Sequence, residues 1–240
     1  LFRSSAASDV YKRQHIMSIT RQNLSVIIVS YKSDYVIENC INSIHSEIEI
    51  VIVDNSNNDQ LKEKIETKYK NVKYILSKEN LGMGAGNNLG IKNVNKDFVL
   101  ILNPDVTLEK SSIDEIIIAS EEIENFGIIA PLSDKSEYPN YTLKRMNDFD
   151  PIKPFKVKSV DGYAMLLNLK KLKKLNGFYF FDENFFLYLE NEDLCLRLEK
   201  NDENIYIVPK SRIHHLGGKA VDRKYKDEIE VLKINRIEMP

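Results

Sequence analysis

Residues 97–106 read DFVLILNPDV, and this stretch decides the fold. Five apolar residues, Phe98 to Leu102, run without a break, which predicts a strand buried on both faces of a sheet. Asn103-Pro104-Asp105 then stops the run, because proline has no N–H to give the ladder and forces a turn. A carboxylate is thereby held just past the carboxyl end of a central strand, where open α/β sheets bind their ligands. A plain surface turn uses the same residues, so the rest of the chain has to arbitrate.

On either side, apolar runs alternate with helical periods. Leu24–Ser30, residues 48–53 and Val72–Leu76 read as strands, and residues 34–46, 59–69 and 111–124 as helices. Ser111 or Ser112 is the expected N-cap of the last. Residues 79–90 (ENLGMGAGNNLG) read as a glycine-rich turn leading into a helix, and residues 126–130 as a short strand. This alternation implies right-handed βαβ units and an α/β fold with a mostly parallel sheet. Past Pro131 the texture changes: residues 132–158 are polar, lack a steady period, and read as a long binding loop or lid. Residues 160–167 read as a strand and 169–175 as a basic helix closed by Asn176-Gly177. An aromatic stretch, 178–189, precedes a helix over Glu190–Lys200 and a strand over 205–208. His214-His215-Leu216-Gly217-Gly218 then opens the tail.

The 240 residues suffice for one large domain or two small ones, and a net charge of −2 gives no electrostatic case for nucleic acid. Cys40 and Cys195 lie in apolar helical patterns and read as reduced core residues. No apolar run approaches the roughly 20 residues of a membrane helix, so a cytoplasmic protein is expected. Residues 1–17 have no apolar period and end in His15-Ile16-Met17, which resembles a vector scar before a native start. They are set aside as a disordered tag.

Three polar clusters follow apolar runs: Asp54-Asn55, Asn103-Pro104-Asp105, and Glu190 to Asp193. The first two end neighbouring parallel strands and should open onto one crevice. Asp54 could accept from a nucleobase N–H, and Asp105 is a hard oxygen ligand suited to Mg2+ or Mn2+ on a diphosphate. Glu190, Asp193 and Arg197 share one helix face, as a simple salt-bridge row would. Gly82, Gly84 and Gly86 suggest a dinucleotide fingerprint, but they follow the third strand rather than the first, and position 87 is Asn.

Taken together and in order, SVIIVSYKS, VIVDNSNND, ENLGMGAGNNLGI, VLILNPDV, VDGYAMLL, FDENFFLYLENEDLCLRL and IHHLGG resemble the family 2 inverting glycosyltransferases of the GT-A fold. Within that family they are similar to the rhamnosyltransferase-like branch that builds bacterial surface polysaccharides. The resemblance implies one glycosyltransferase domain over 18–240, with 18–131 binding the nucleotide sugar and 132–240 holding the acceptor and the base. By the same resemblance Ser30 and Tyr31 border the nucleotide, and Asp54 with Asn55 meets its base. Gly82, Gly84 and Asn87 lie along the donor. Asn103 and Asp105 stand at the D-x-D metal motif, with Asp105 and His215 toward a divalent cation, and Asp161-Gly162 under the sugars. The family reads Glu-Asp-x-Asp at the catalytic helix, with the second residue as base. This chain has Glu190-Asn191-Glu192-Asp193, and Asn191 cannot take a proton. The base then falls to Glu190 or Asp193, with Glu192 third. The implied partners are a dTDP or UDP sugar and a saccharide or lipid-linked acceptor at the inner face of a membrane. A catalytically silent nucleotide-sugar binder and an NAD-dependent dehydrogenase are the alternatives.

Overall fold

The computed structural model describes residues 18–123, 125–134, 138–175 and 177–221, so the expected tag at 1–17 lies outside the described residues. The strands are β1 (Leu24–Ser30), β2 (Glu49–Asp54), β3 (Val72–Leu76), β4 (Phe98–Leu102), β5 (Val106–Leu108), β6 (Ile128–Ser133), β7 (Tyr141–Leu143), β8 (Phe155–Val160), β9 (Ala164–Asn168) and β10 (Ile205–His215). The helices are α1 (Ile37–Asn42), α2 (Asp59–Lys68), α3 (Gly82–Lys92), α4 (Ser112–Glu122), α5 (Leu169–Leu172) and α6 (Glu190–Lys200).

All the described strands join one sheet in the order β3-β2-β1-β4-β9-β6-β10-β8-β7, with β5 on β10. The β3-β2-β1-β4 half is parallel throughout, and from β9 onward the directions mix. The parallel half follows from residue type. Alternate side chains of a strand face opposite sides, and here both sides are apolar. Val26 and Ile28 pack with Ile50, Ile52, Leu100 and Leu102 in one core, while Ile27 packs with Val51, Val99 and Ile101 in the other. Each such side chain contributes about 1.5–3 kcal/mol on burial, so β1 and β4 have no side they can turn to water.

Several expectations need correction. The stretch 132–158 is not one loop, because β7 and β8 lie in it. FKVKSV carries a period of two, with Phe155 and Val157 buried between exposed Lys156 and Lys158, but its alternating lysines blend into the polar stretch before it. The strand expected over 160–167 starts at Ala164, since Asp161-Gly162-Tyr163 forms the turn into it. His214 and His215 are strand residues at the end of β10, not tail. The glycine-rich turn is already helix from Gly82. Ser111 makes no side-chain capping bond, while the Ser112 hydroxyl donates to the Arg212 carbonyl. Asn176 lies outside the described residues, and Gly177 follows with φ +67°. Among the described residues no helix is long and apolar enough to cross a membrane.

Candidate active site

The chain leaves β1 for β2 on one side and returns to β4 on the other, so strand order reverses at β1. Such a switch point opens a crevice at the carboxyl ends of the strands. Ser30, Asp54 and Asn103 stand at those ends, with Tyr31 half-buried just beyond β1. Asp54 is 1% exposed and shapes its own turn. Its Oδ1 accepts from the Ser56 amide (2.8 Å) and the Ser30 hydroxyl (3.4 Å), and its Oδ2 from the Asn58 amide (2.9 Å). Asn55 donates from Nδ2 to the Gly82 carbonyl (3.1 Å), which ties this turn to the start of α3. The buried Oδ1 atoms of Asn55, Asn87 and Asn103 have no hydrogen-bond partner among the described residues.

Asp105 follows the proline stop, and its side chain is fully buried. Oδ2 accepts from the Lys219 amide (3.1 Å), whereas Oδ1 has no hydrogen-bond partner among the described residues and lies 3.5 Å from His215 Nε2. A buried carboxylate oxygen left unpaired is costly, and a cation is one remedy. Asp105, the Asn103 amide oxygen and the His215 imidazole are a donor set that fits Mg2+ or Mn2+. Among the described residues no three His, Cys, Asp or Glu side chains gather at one point. An ion here would therefore draw the rest of its shell from water and diphosphate, as Mg2+ commonly does. The Tyr163 ring stacks on His215 with centroids 4.0 Å apart and fixes the imidazole plane. Burial pushes the Tyr163 phenol up to about 12, so it stays protonated. Residues 216–221 form a strap over Asp105 that sequence reading missed. The Leu216 amide donates to the Asp105 carbonyl (3.1 Å), Ser33 to the Ala220 carbonyl (2.6 Å), and the Tyr35 hydroxyl to the Lys219 carbonyl. Gly217 and Gly218, at φ +63° and +62°, bend it and were its one sequence signal.

The resemblance implies that Gly82 and Gly84 lie along the donor. The space that a side chain on either would need is filled by the chain itself. A Cβ on Gly82 would sit 2.1 Å from the Phe186 carbonyl oxygen, and one on Gly84 3.1 Å from that of Asp182. The Met83 amide donates to the Phe186 carbonyl (2.8 Å), and Asn88 bonds both the Phe181 amide and carbonyl. The aromatic stretch is thus clamped onto α3, and it leads into α6 through Tyr188 and Leu189, both left-handed at φ +67° and +69°.

The four polar residues at the start of α6 part company. Asp193 accepts from Arg197 Nε (2.7 Å), and Arg197 also donates to the Tyr179 and Phe180 carbonyls, so this pair latches the aromatic stretch. Asn191 donates to the Val160 carbonyl (2.9 Å), with its Cβ against Gly162, and so holds the Asp161-Gly162 turn. Glu192 accepts from the Ser159 hydroxyl (3.3 Å). Asp161 is exposed overall, yet local loss of solvent raises its pKa, as does the like charge of Glu192, while His215 opposes. Glu190 is 7% exposed, with a raised pKa from burial and an unpaired Oε2. A raised folded pKa means that the native state holds the proton more tightly. The resulting stability is present below the unfolded carboxyl range and is lost as pH rises toward the folded value. Glu190→Gln should therefore raise Tm at about pH 7 and change it little at about pH 4, where the carboxyl is mostly protonated in both states. Thermal unfolding at both pH values checks this, and an equal shift at both would mean that charge is not the cause.

Residues 25–186, from β1 through the aromatic stretch, match glycosyl transferase family 2. The chain belongs to that family. It is 32% identical over 201 residues to the low-salt glycan biosynthesis hexosyltransferase Agl10 of Haloferax volcanii, a match covering 76% of this chain and 64% of that protein. It is 25% identical over 242 residues to the N-acetylglucosaminyl-diphospho-decaprenol L-rhamnosyltransferase of Mycobacterium tuberculosis, covering 83% and 78% of the two chains. The structure resembles GalNAc-T7 crystallised with UDP, GalNAc and Mn2+, with a TM-score of 0.67 at 16% identity over 81% of this chain and 44% of that one. It also resembles S. aureus TarS 1–349 in complex with UDP-GlcNAc, with a TM-score of 0.61 at 17% identity over 89% and 72% of the two chains. At these identities the likeness shows the fold alone, which is GT-A. In this family 2 glycosyltransferase the matched span ends before α6, so Glu190 to Asp193 and His215 lie beyond it.

Proposed function

We propose that the chain transfers a hexosyl group from a UDP or dTDP donor to a hydroxyl of a saccharide or lipid-linked acceptor, inverting the anomeric carbon. Likeness to a rhamnosyltransferase favours rhamnose as the sugar and surface or lipid-linked glycan synthesis as the setting. The observation that carries this reading is the buried Asp105 Oδ1 just past the carboxyl end of β4, without a hydrogen-bond partner among the described residues and 3.5 Å from His215 Nε2. In it, residues 18–131 bind the donor, with Ser30, Tyr31, Asp54 and Asn55 around the nucleotide and Asn87 and Asn103 toward the sugar and diphosphate. Residues 132–240 supply Asp161-Gly162 under the acceptor and the base. The enzyme works in the cytoplasm at the inner face of the membrane.

Glu192 is the base in this reading. Asp193 is committed to Arg197, Asn191 carries an amide, and Glu190 is buried, whereas Glu192 is half-buried and holds one long bond to Ser159. Its carboxylate takes the acceptor hydroxyl proton as that oxygen bonds to the anomeric carbon. The bond to the diphosphate breaks in the same displacement, its electron pair leaving with the diphosphate. A divalent cation held by Asp105, Asn103 and His215 would supply positive charge against the departing group. Glu192→Gln should lower kcat by about 10²- to 10⁴-fold and leave donor binding unchanged.

The test is a thermal-shift series with UDP, dTDP and NAD, each with and without Mn2+, followed by transfer assays with the anomeric configuration read by NMR. A Mn2+-dependent rise in Tm with UDP or dTDP supports the reading, because ligands of the native state raise Tm by mass action. A rise with NAD alone, indifferent to metal, sinks it. Asn191 favours a second reading, a silent nucleotide-sugar binder. Donor binding without donor hydrolysis or transfer would establish that reading.

A further inference from the structure

Residues 144–154, the loop between β7 and β8, present three large apolar side chains to solvent: Met146 is 89% exposed, Ile152 63% and Phe149 49%. Apolar tips normally collapse, but this one is held open by its own backbone. Asp148 accepts from the Arg145 amide (3.0 Å) and Asp150 from the Ile152 and Lys153 amides (2.8 and 2.9 Å). The Phe149 ring sets its edge on Phe155, with centroids 5.5 Å apart. Both acids of the loop are thus turned to the loop's own amides. Lys144, Arg145 and Lys153 lie in the loop and Lys156 and Lys158 follow it along β8, all exposed, with Lys144 3.7 Å from Glu199 of α6; over 144–158 five residues are basic and two acidic. An apolar tip flanked on both sides by positive charge is complementary to an anionic phospholipid surface.

We propose that this loop seats the protein on an anionic bilayer, Met146 and Ile152 entering the acyl boundary while the flanking basic residues meet the headgroups. The inference deepens the reading above, resting on its lipid-linked acceptor. It adds a geometry to it: β8 runs six residues from this loop to the Asp161-Gly162 turn. At about 3.3 Å per residue, a strand of that length sets the site about 20 Å from the seat.

The experiment is flotation of the full chain with phosphatidylcholine vesicles, with and without phosphatidylglycerol, at low and high salt. Wild type should float with the anionic vesicles at low salt and lose this at high salt. Met146→Ser/Ile152→Ser, and separately Lys144→Gln/Arg145→Gln/Lys153→Gln, should each weaken binding by about tenfold or more. Wild type that never floats, or variants that float as wild type does, would overturn the proposal. A concentration-dependent dimer in sedimentation that the serine variant abolishes would also overturn it, giving the surface to a second copy. The Mn2+-dependent nucleotide shift, measured on the same preparations, should be unchanged in both variants. Its absence in wild type defeats the donor-site reading, whereas failed flotation defeats only the seat.

Discussion

Asp105→Asn is expected to abolish metal-dependent nucleotide binding while leaving the protein as stable as wild type, or slightly more so. The substitution keeps the shape and an oxygen for the Lys219 amide, and it removes a buried charge whose Oδ1 has no hydrogen-bond partner among the described residues, with His215 Nε2 3.5 Å away. A structural carboxylate would behave in the opposite way, because breaking its bonds costs stability. Loss of charge stabilisation on a departing diphosphate should lower transfer by about 10³-fold, or about 4 kcal/mol. Mn2+ titration with and without UDP, alongside thermal unfolding, separates the two outcomes. An Asn variant that binds Mn2+ and UDP as before, or that unfolds, would remove Asp105 from the metal site.

Gly82→Ala should be the most damaging small substitution in the donor half. The residue is left-handed at φ +76°, and the added Cβ would lie 2.1 Å from the Phe186 carbonyl oxygen and 2.7 Å from its ring. Left-handed backbone alone costs an alanine about 1–2 kcal/mol. The rest comes from pushing the aromatic stretch off α3 and losing the Met83–Phe186 bond, for a total on the order of 3–5 kcal/mol. Gly86→Ala is the control, since the nearest atoms its Cβ would meet belong to the Val29 side chain, at 2.8 Å, rather than to backbone, and its φ is not left-handed. Urea unfolding of both variants checks the ranking. If Gly82→Ala costs no more than Gly86→Ala, the clamp is not what holds this region.

The sequence was most legible where one physical signal ran long. Unbroken apolar strands gave β1 and β4, and a three-to-four period gave α6 with the bounds observed. β7 was missed because it has three residues, and β8 because its alternating lysines blend into the polar stretch before it. The candidate site was legible in part for the same reason: Asp54 ends the apolar run of β2 and Asp105 stands three residues past that of β4, so strand geometry places them. Partner choice was not legible. Helical spacing puts Glu190, Asp193 and Arg197 on one face, but only the tertiary structure shows that Arg197 takes Asp193 and the carbonyls of Tyr179 and Phe180. It also shows Glu192 accepting from the Ser159 hydroxyl. The α3 glycines announced a close approach without saying to what, and the strap over Asp105 depends on backbone groups that no residue type advertises.

The contact between Gly82 and Phe186 also bears on how this chain can change over time. A clash with a side chain can be relieved by a smaller neighbour, so such positions drift in pairs. Here the obstructing atom is a carbonyl oxygen, which every amino acid carries. No replacement at position 186 can act as a suppressor for a larger residue at position 82. Mutational routes that retain the α3 clamp must therefore pass through glycine at 82, while position 186 is free to exchange one large apolar side chain for another.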